Sequence, residues 1–468
     1  MRRPEHALPL PARMSRVAIV APQSRLRDAL AVVADAGVVE LAGTPPSPSG
    51  EAVEALRRVE REARGTVQPQ VAPRAPNLAE LERRGDAAVL AGEVEVGRRA
   101  DAAVRHGSFA AVVGWAPSDE LQPLAERLEP AGAVAVELPR PGWVEPPTLI
   151  APRPLAKPFR PLVETYGATR YADVDPTLFA AFSFALMFGM MFGDVGHGLL
   201  VVLLALALRR VRRGRLVGFR RLWPLPFAAG LSATAFGFLY GECFGPTGLV
   251  PTLWLDPVEE PLALITAAVA IGAVLLAASY AIGTLNRWRE RGAAAALVAP
   301  SGIAGTCVFL GGGIAAAGWY ADSVPLGLVG GATLGLGVLL LAAGFLLQAG
   351  HGGLAAVEAS VEVVDAVVRV GASAVSFTRL AAFGLTHAAL GAIVWDATTA
   401  AWGGLVGSAV AVVVFLVGNA IAFALEALVA SIQALRLEYY ELFSRIFAGE
   451  GHPFAPWHVP FAAGREAT

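Results

Sequence analysis

Long apolar runs recur between residues 179 and 435, separated by short polar intervals. They cover 179–208, 222–243, 261–285, 295–319, 324–348, 376–398 and 404–435. A helix needs about 20 predominantly apolar residues to cross a bilayer core, and most of these runs reach that length. The intervals RRVRRGRLVGFRR (209–221) and RWRER (287–291) are rich in arginine, which predicts a cytoplasmic position. The stretches 244–260 and 320–323 carry no Lys or Arg and predict the opposite face. If the N-terminal region is cytoplasmic, the run 179–208 must begin and end on one side. It therefore predicts two short helices turning around GDVGHG (193–198), where glycine permits a tight bend. The expected total is eight membrane segments. Asp194 and His197, inside that turn, need burial in protein or access to water.

Residues 14–150 follow shorter periods. SRVAIVAP (15–22) reads as a strand, Ser24 as a cap for the amphipathic stretch RLRDALAVVADAG, and Gly37 as its stop, with VVEL as a second strand. The pattern returns after residue 108: FAAVVGWAP is strand-like, SDELQPLAERLEPAG helical and AVAVEL strand-like. Between them, two charged stretches with helical spacing predict a short antiparallel coiled arm at about 51–106. The expectation is a cytoplasmic two-lobed α/β domain over 1–150 with that arm. A proline-rich connector follows at 151–178, then an α-helical polytopic membrane domain over 179–447 and a cytoplasmic C-terminal tail at 448–468.

Composition agrees with a membrane protein that carries a soluble part: 55% of the 468 residues are hydrophobic and the mean hydropathy is +0.55. A net charge of −2 gives no reason to expect nucleic-acid binding. Basic residues other than Lys157 are arginines, as GC-rich prokaryotic coding would produce. Cys243 and Cys307 show no disulfide or metal spacing, and His351, His452 and His458 show no zinc spacing. No cofactor or metal is implied. Met1 is followed by Arg-Arg but by no signal-like apolar core, so the N-terminus is expected to stay cytoplasmic. No GxxxxGK[ST] loop occurs, so the chain is not expected to hydrolyse nucleotide itself.

The chemistry lies in the polar residues of the apolar runs. Arg379 sits in SFTRLAAFGLTHAAL (376–390), with His387 two turns further on. A fixed positive charge near the bilayer centre costs at least about 2.5–3.5 kcal/mol, and arginine does not shed it by deprotonation. Glu362, Asp365 and Arg369 precede it in an amphipathic stretch that predicts one long tilted helix. Asp365 and Arg379 fall within about 40° on its wheel, and His387 within about 80° of Arg379. In the last run Asn419, Glu426 and Gln433 recur every seven residues and share one face, with Arg436 about 80° from Glu426. These residues point either to a pair of helices lining an ion path or to a polar network that fixes helix packing. Asp194 and His197 are read as stabilising their turn. Glu242 in LYGECFG is read as lining a non-cytoplasmic vestibule or as a water-exposed helix end.

These motifs resemble the membrane stator subunit of V-type and A-type rotary ATPases, the subunit a and subunit I family. The matching stretches are PFRPLVETYGATRYADVDPT (158–177), FALMFGMMFGDVGHG (184–198), GFLYGECFG (237–245), SFTRLAAFGLTHAAL (376–390) and LEALVASIQALRLEYYELFSRIFAGEGHPFAPW (425–457), with GWAP (114–117) and SRVAIVAP. The resemblance implies a multi-pass cell-membrane protein with both termini cytoplasmic. Its implied partners are a proteolipid ring, peripheral stalks, a soluble V1/A1 ATPase sector and the lipid bilayer. It implies that Arg379 is the stator charge meeting each ring carboxylate in turn. Arg436 matches the family's second arginine, Glu426 and His387 match half-channel residues, and Glu362 and Asp365 match acidic residues before the essential helix. Gln433 stands where some relatives carry histidine, so proton relay through that position is not expected. Compared with the family the arm is shortened. An autonomous secondary transporter using Arg379 and Glu426, or a non-pumping membrane scaffold, are the alternatives.

Overall fold

The computed structural model describes residues 11–48, 50–60, 67–141, 144–150, 156–349, 353–447, 449 and 451–462. His351 lies outside the described residues. The chain divides into two compact units. One comprises Leu10–Ala151 with Thr169–Tyr171 and Gly451–Thr468; the other includes Pro152–Ala168 and Ala172–Glu450.

The smaller unit is built on one antiparallel sheet. Its elements are β1 (Met14–Pro22), α1 (Leu26–Ala36), β2 (Glu40–Leu41), α2 (Glu51–Glu60), α3 (Leu78–Arg84), α4 (Ala87–Asp101), β3 (Val104–His106), β4 (Phe109–Pro117), α5 (Leu121–Leu128) and β5 (Val134–Leu138). The strand order is β2-β4-β1-β5, with β3 also paired to β4. The two similar β-α stretches therefore do not form separate lobes. β1 pairs with β4 along its whole length, from Met14 opposite Pro117 to Pro22 opposite Phe109. A lone strand-helix-strand stretch would leave its strands unpaired, and interleaving the two satisfies their backbone groups in one sheet. Ser24 does not cap α1: it lies in a short 3₁₀ turn, Gln23–Arg25, and the helix starts without a side-chain cap. Gly37 does end α1, in the left-handed conformation that glycine adopts without strain. In the charged helical region α2 packs on α4 through Ala55, Val59, Ala87 and Leu90. Arg58 bridges to Glu82 on α3, and Val96 of α4 joins the core beneath α1.

Residues 451–462 belong to this same unit. Trp457 and Val459 are core residues, and their backbone N–H groups donate to Val39 and Ala34 carbonyls at 2.9 and 3.0 Å. Val71 donates to Pro460 and Ala462 donates to Val71, each at 3.0 Å. The segment expected as a C-terminal tail is thus a strand-like strap built into the N-terminal domain.

The larger unit is helical. Its elements are α6 (Arg160–Glu164), α7 (Thr177–Met191), α8 (Val195–Arg210), α9 (Pro224–Tyr240), α10 (Pro261–Arg291), α11 (Ala293–Val298), α12 (Ile303–Tyr320), α13 (Val324–Ala349), α14 (Gly353–Ser376), α15 (Thr378–Ala401) and α16 (Gly404–Leu437). Five helices among the described residues are long and apolar enough to cross a membrane, or six if the bent pair ending in α9 forms one span. That is fewer than the eight segments expected, because α7 (15 residues) and α8 (16 residues) are too short to qualify. The run 179–208 is nevertheless two helices, broken at Phe192–Asp194. α14 and α15 form a nearly continuous rod of 48 residues, tightened at Phe377. The large apolar cluster of this unit draws on α7, α9, α10, α15 and α16.

Candidate functional site

Asp194 lies buried within the helical unit. It caps α8, accepting from the His197 backbone N–H at 2.7 Å, and its other oxygen accepts from the Gly245 N–H at 2.9 Å. Both Asp194 and His197 are buried. The turn depends on glycine at close range. A Cβ on Gly237 would stand 2.2 Å from the Val195 nitrogen, so α9 crosses directly over the start of α8. Glu242 is 5% exposed, not a water-exposed helix end, and its carbonyl accepts from the Val195 N–H at 2.9 Å.

α15 and α16 bring their own polar groups to this place. They are joined through Trp402 and Gly403 and run antiparallel. His387 Nδ1 bonds the Glu426 carboxylate, while Gly418 packs on Val394 and Trp395 on Phe415 in the same register. His387 then meets His197, their ring centroids 5.5 Å apart, and Phe192 lies against both at 4.8 and 5.7 Å. Phe244 and Phe423 close the cluster around His197. Asn419, about two helical turns from Glu426, is buried and donates to its own helix at Phe415. Asp194, His197 and His387 each present one ligand atom within 4.8 Å of the others, so they are the described residues able to hold a cation. Sequence spacing gave no sign of this set, because His387 is 190 positions beyond His197 in the chain.

Neither ring nitrogen of His197 has a hydrogen-bond partner among the described residues, and Oε1 of Glu426 and Oε1 of Gln433 are likewise buried without one. Burying such groups unsatisfied costs about 1–3 kcal/mol each.

Arg379 and Arg436 occupy the same end of the α15–α16 hairpin. Arg379 precedes His387 by eight residues, about 12 Å along the axis, and Arg436 follows Glu426 by ten, about 15 Å. Arg379 is half-buried and Arg436 exposed. Neither has an ion-pair or hydrogen-bond partner among the described residues. Asp365, close to Arg379 on the helical wheel, lies about 21 Å away along the rod. It pairs instead with Arg369, one turn on. Glu362 and Asp365 are exposed and line a recess of about 360 Å³ with Arg287, Arg369 and Arg445. Arg445, not singled out from the sequence, is buried, donates to Ser373 Oγ at 2.5 Å and lies over the Tyr280 ring. The predicted residues thus divide into two groups. Asp194, His197, Glu242, His387, Asn419 and Glu426 cluster together; Glu362 and Asp365 stand apart, with Arg379 between the groups along the rod.

The sequence pattern of the V-type ATPase 116 kDa subunit family matches residues 103–220. Over 406 residues the chain is 29% identical to the A-type ATP synthase subunit I of Archaeoglobus fulgidus, covering 74% of this chain and 58% of that protein. It is 26% identical over 379 residues to the A-type ATP synthase subunit I of Thermococcus kodakarensis, covering 74% and 54%. A shorter match, 37% over 119 residues, joins 23% of the chain to 14% of the human V-type proton ATPase 116 kDa subunit a 3. The chain spans little more than half the length of the archaeal relatives it matches. With its apolar helices and these matches, the chain is similar to the subunit a and subunit I proteins of V-type and A-type ATPases.

Proposed function

We propose that this chain is the non-catalytic stator subunit of a rotary ATPase and forms two offset half-channels for protons or sodium beside a proteolipid ring. The observation that carries the reading is Arg379: a permanent charge, half-buried on an apolar helix, without a partner among the described residues. Such a charge calls for a counter-ion from outside the chain, and a carboxylate on an adjoining ring supplies one. An opposite charge within about 4–6 Å lowers a carboxylate's pKa by about 1–3 units. Each ring carboxylate reaching Arg379 therefore releases its ion, and the fixed charge blocks direct leakage between the two paths. The His387–Glu426 cluster serves one path and the Glu362–Asp365 recess the other; their separation along the rod, with Arg379 between, supports that division. Arg436, at the same end of the hairpin, adds positive charge to the ring-facing surface.

In this role the chain works with a proteolipid ring, peripheral stalks and a soluble ATPase sector, with its N-terminal domain on the cytoplasmic side. Ion transport into vesicles by the reconstituted complex tests the reading, with the native chain compared against Arg379→Ala and Arg379→Lys. Loss of ion-coupled transport in both, with the complex still assembled, is the expected outcome. Undiminished transport by Arg379→Ala would overturn the mechanism. Failure of the native chain to assemble with ring or motor subunits would instead favour an autonomous transporter or a scaffold.

A further inference from the structure

The interval 209–221 contains seven arginines and no acidic residue. Five of them, Arg209, Arg210, Arg212, Arg220 and Arg221, line one recess of about 690 Å³ together with Trp223. The Arg209 guanidinium lies over the Trp223 ring, 4.7 Å from its centroid. All five are exposed, and none forms an ion pair with a described residue. Charges of one sign held this close repel one another, and a counter-anion relieves that repulsion. A preference for one side of the membrane accounts for arginines in this interval. It does not account for what lies beside them.

The residues next to this recess in the chain line an apolar groove of about 490 Å³. Its walls include Leu204 and Leu208 of α8 and Leu225 near the start of α9, and α16 contributes Phe423, Ala427 and Ser431. The two spaces meet along the chain: Leu208 is bonded to Arg209, and Leu225 follows Trp223 by two residues. Phe423, Ala427 and Ser431 recur every four residues, so one stripe of α16 lines the groove. Neighbouring residues at the ends of two apolar helices thus line a cationic recess on one side and an apolar groove on the other. A tryptophan stands at the junction, where an amphipathic ring suits the headgroup level.

We infer that this is a binding site for an anionic phospholipid, its phosphate headgroup held by Arg209, Arg210, Arg212, Arg220 and Arg221 and one acyl chain seated in the groove against α16. Free phosphate would match the arginines but leave the groove empty, and a neutral lipid would fill the groove but leave the arginines uncompensated. The ligand that answers both is amphipathic and negatively charged. Because the groove is walled by the helix that carries Glu426 and Arg436, the bound lipid braces that helix on its α8–α9 side.

The test uses the full chain in vesicles of phosphatidylcholine with and without phosphatidylglycerol. Lipid association is read by native mass spectrometry and by the immobilised fraction of a spin-labelled phosphatidylglycerol. The native chain is expected to retain phosphatidylglycerol selectively. Arg209→Gln and Arg220→Gln should each weaken that retention about fivefold, the factor corresponding to about 1 kcal/mol per basic residue at an anionic surface. Ser431→Phe, which fills the groove and leaves every arginine in place, should abolish immobilisation of the acyl label. Equal retention of phosphatidylcholine and phosphatidylglycerol would overturn the inference. So would displacement of the lipid by inorganic phosphate together with no effect of Ser431→Phe, since the recess would then be an anion site only.

Discussion

Glu426 offers one carboxylate oxygen to His387 and keeps the other, Oε1, buried without a hydrogen-bond partner among the described residues. That contact ties α15 to α16 and sets the level at which Arg379 and Arg436 emerge from the hairpin. It also brings α16 against the His197 cluster, which no single helix contains.

The pair should therefore behave as a unit. Glu426→Gln and His387→Gln are each expected to lower the thermal stability of the purified chain. The double variant should fall short of the sum by about 0.5–3 kcal/mol, as for residues in direct contact. Additive losses would show that the two side chains do not interact in the membrane.

The two arginines should differ in their tolerance of lysine. Arg379 is half-buried on an apolar helix, where a planar, always-charged fork and a flexible ammonium are not equivalent. Arg436 is exposed at a helix end, where a long cationic side chain can reach polar surroundings. Arg436→Lys is expected to keep most ion transport in the reconstituted complex and Arg379→Lys to lose it. Equal loss in both would assign Arg436 a geometric role as strict as that of Arg379.

Asp194 holds two backbone N–H groups, at His197 and Gly245. Asp194→Ala leaves both donors buried, at about 1–3 kcal/mol each, and should lower the melting temperature markedly. Asp194→Asn keeps one acceptor oxygen and should cost less. Melting in detergent, followed by circular dichroism, ranks the two.

Close packing of α9 on the start of α8 should make Gly237 intolerant of any side chain. The neighbour that a Cβ would strike is backbone, which cannot turn aside. Gly237→Ala is expected to destabilise the chain by about 1–3 kcal/mol through overpacking. Alanine at Gly312, with nothing within 4 Å, should be nearly neutral and serves as the control.

The strap formed by residues 451–462 should hold the N-terminal domain together. Trp457 is 9% exposed, packs in the core and lies under the Arg99 guanidinium, 5.7 Å from its ring centroid. Trp457→Ala is expected to cost about 3–5 kcal/mol. Limited proteolysis should then cut within residues 14–140 faster than in the native chain. Unchanged cleavage would mean that the strap contributes little to that domain.

Local pattern was enough to read β1, α1, β4, α5 and β5, because each follows its own period and stop signals over a few residues. It also exposed Arg379, His387 and Glu426, since a charge in an apolar run is conspicuous without any partner being known. The break between α7 and α8 followed from counting sides across the arginine-rich interval. Other features depend on which distant segments meet. The two β-α stretches share one sheet because β1 and β4 complete each other's hydrogen bonding, and no local period encodes that pairing. The strap of residues 451–462 joins the core because Val39, Ala34 and Val71 present backbone groups that it can satisfy. Asp365 and Arg379 share a face on the helical wheel but not a site, because a wheel discards the rise along the axis. The assembly of Asp194, His197, His387 and Glu426 was settled by helix packing, since glycine contacts and antiparallel register act between segments far apart in the chain.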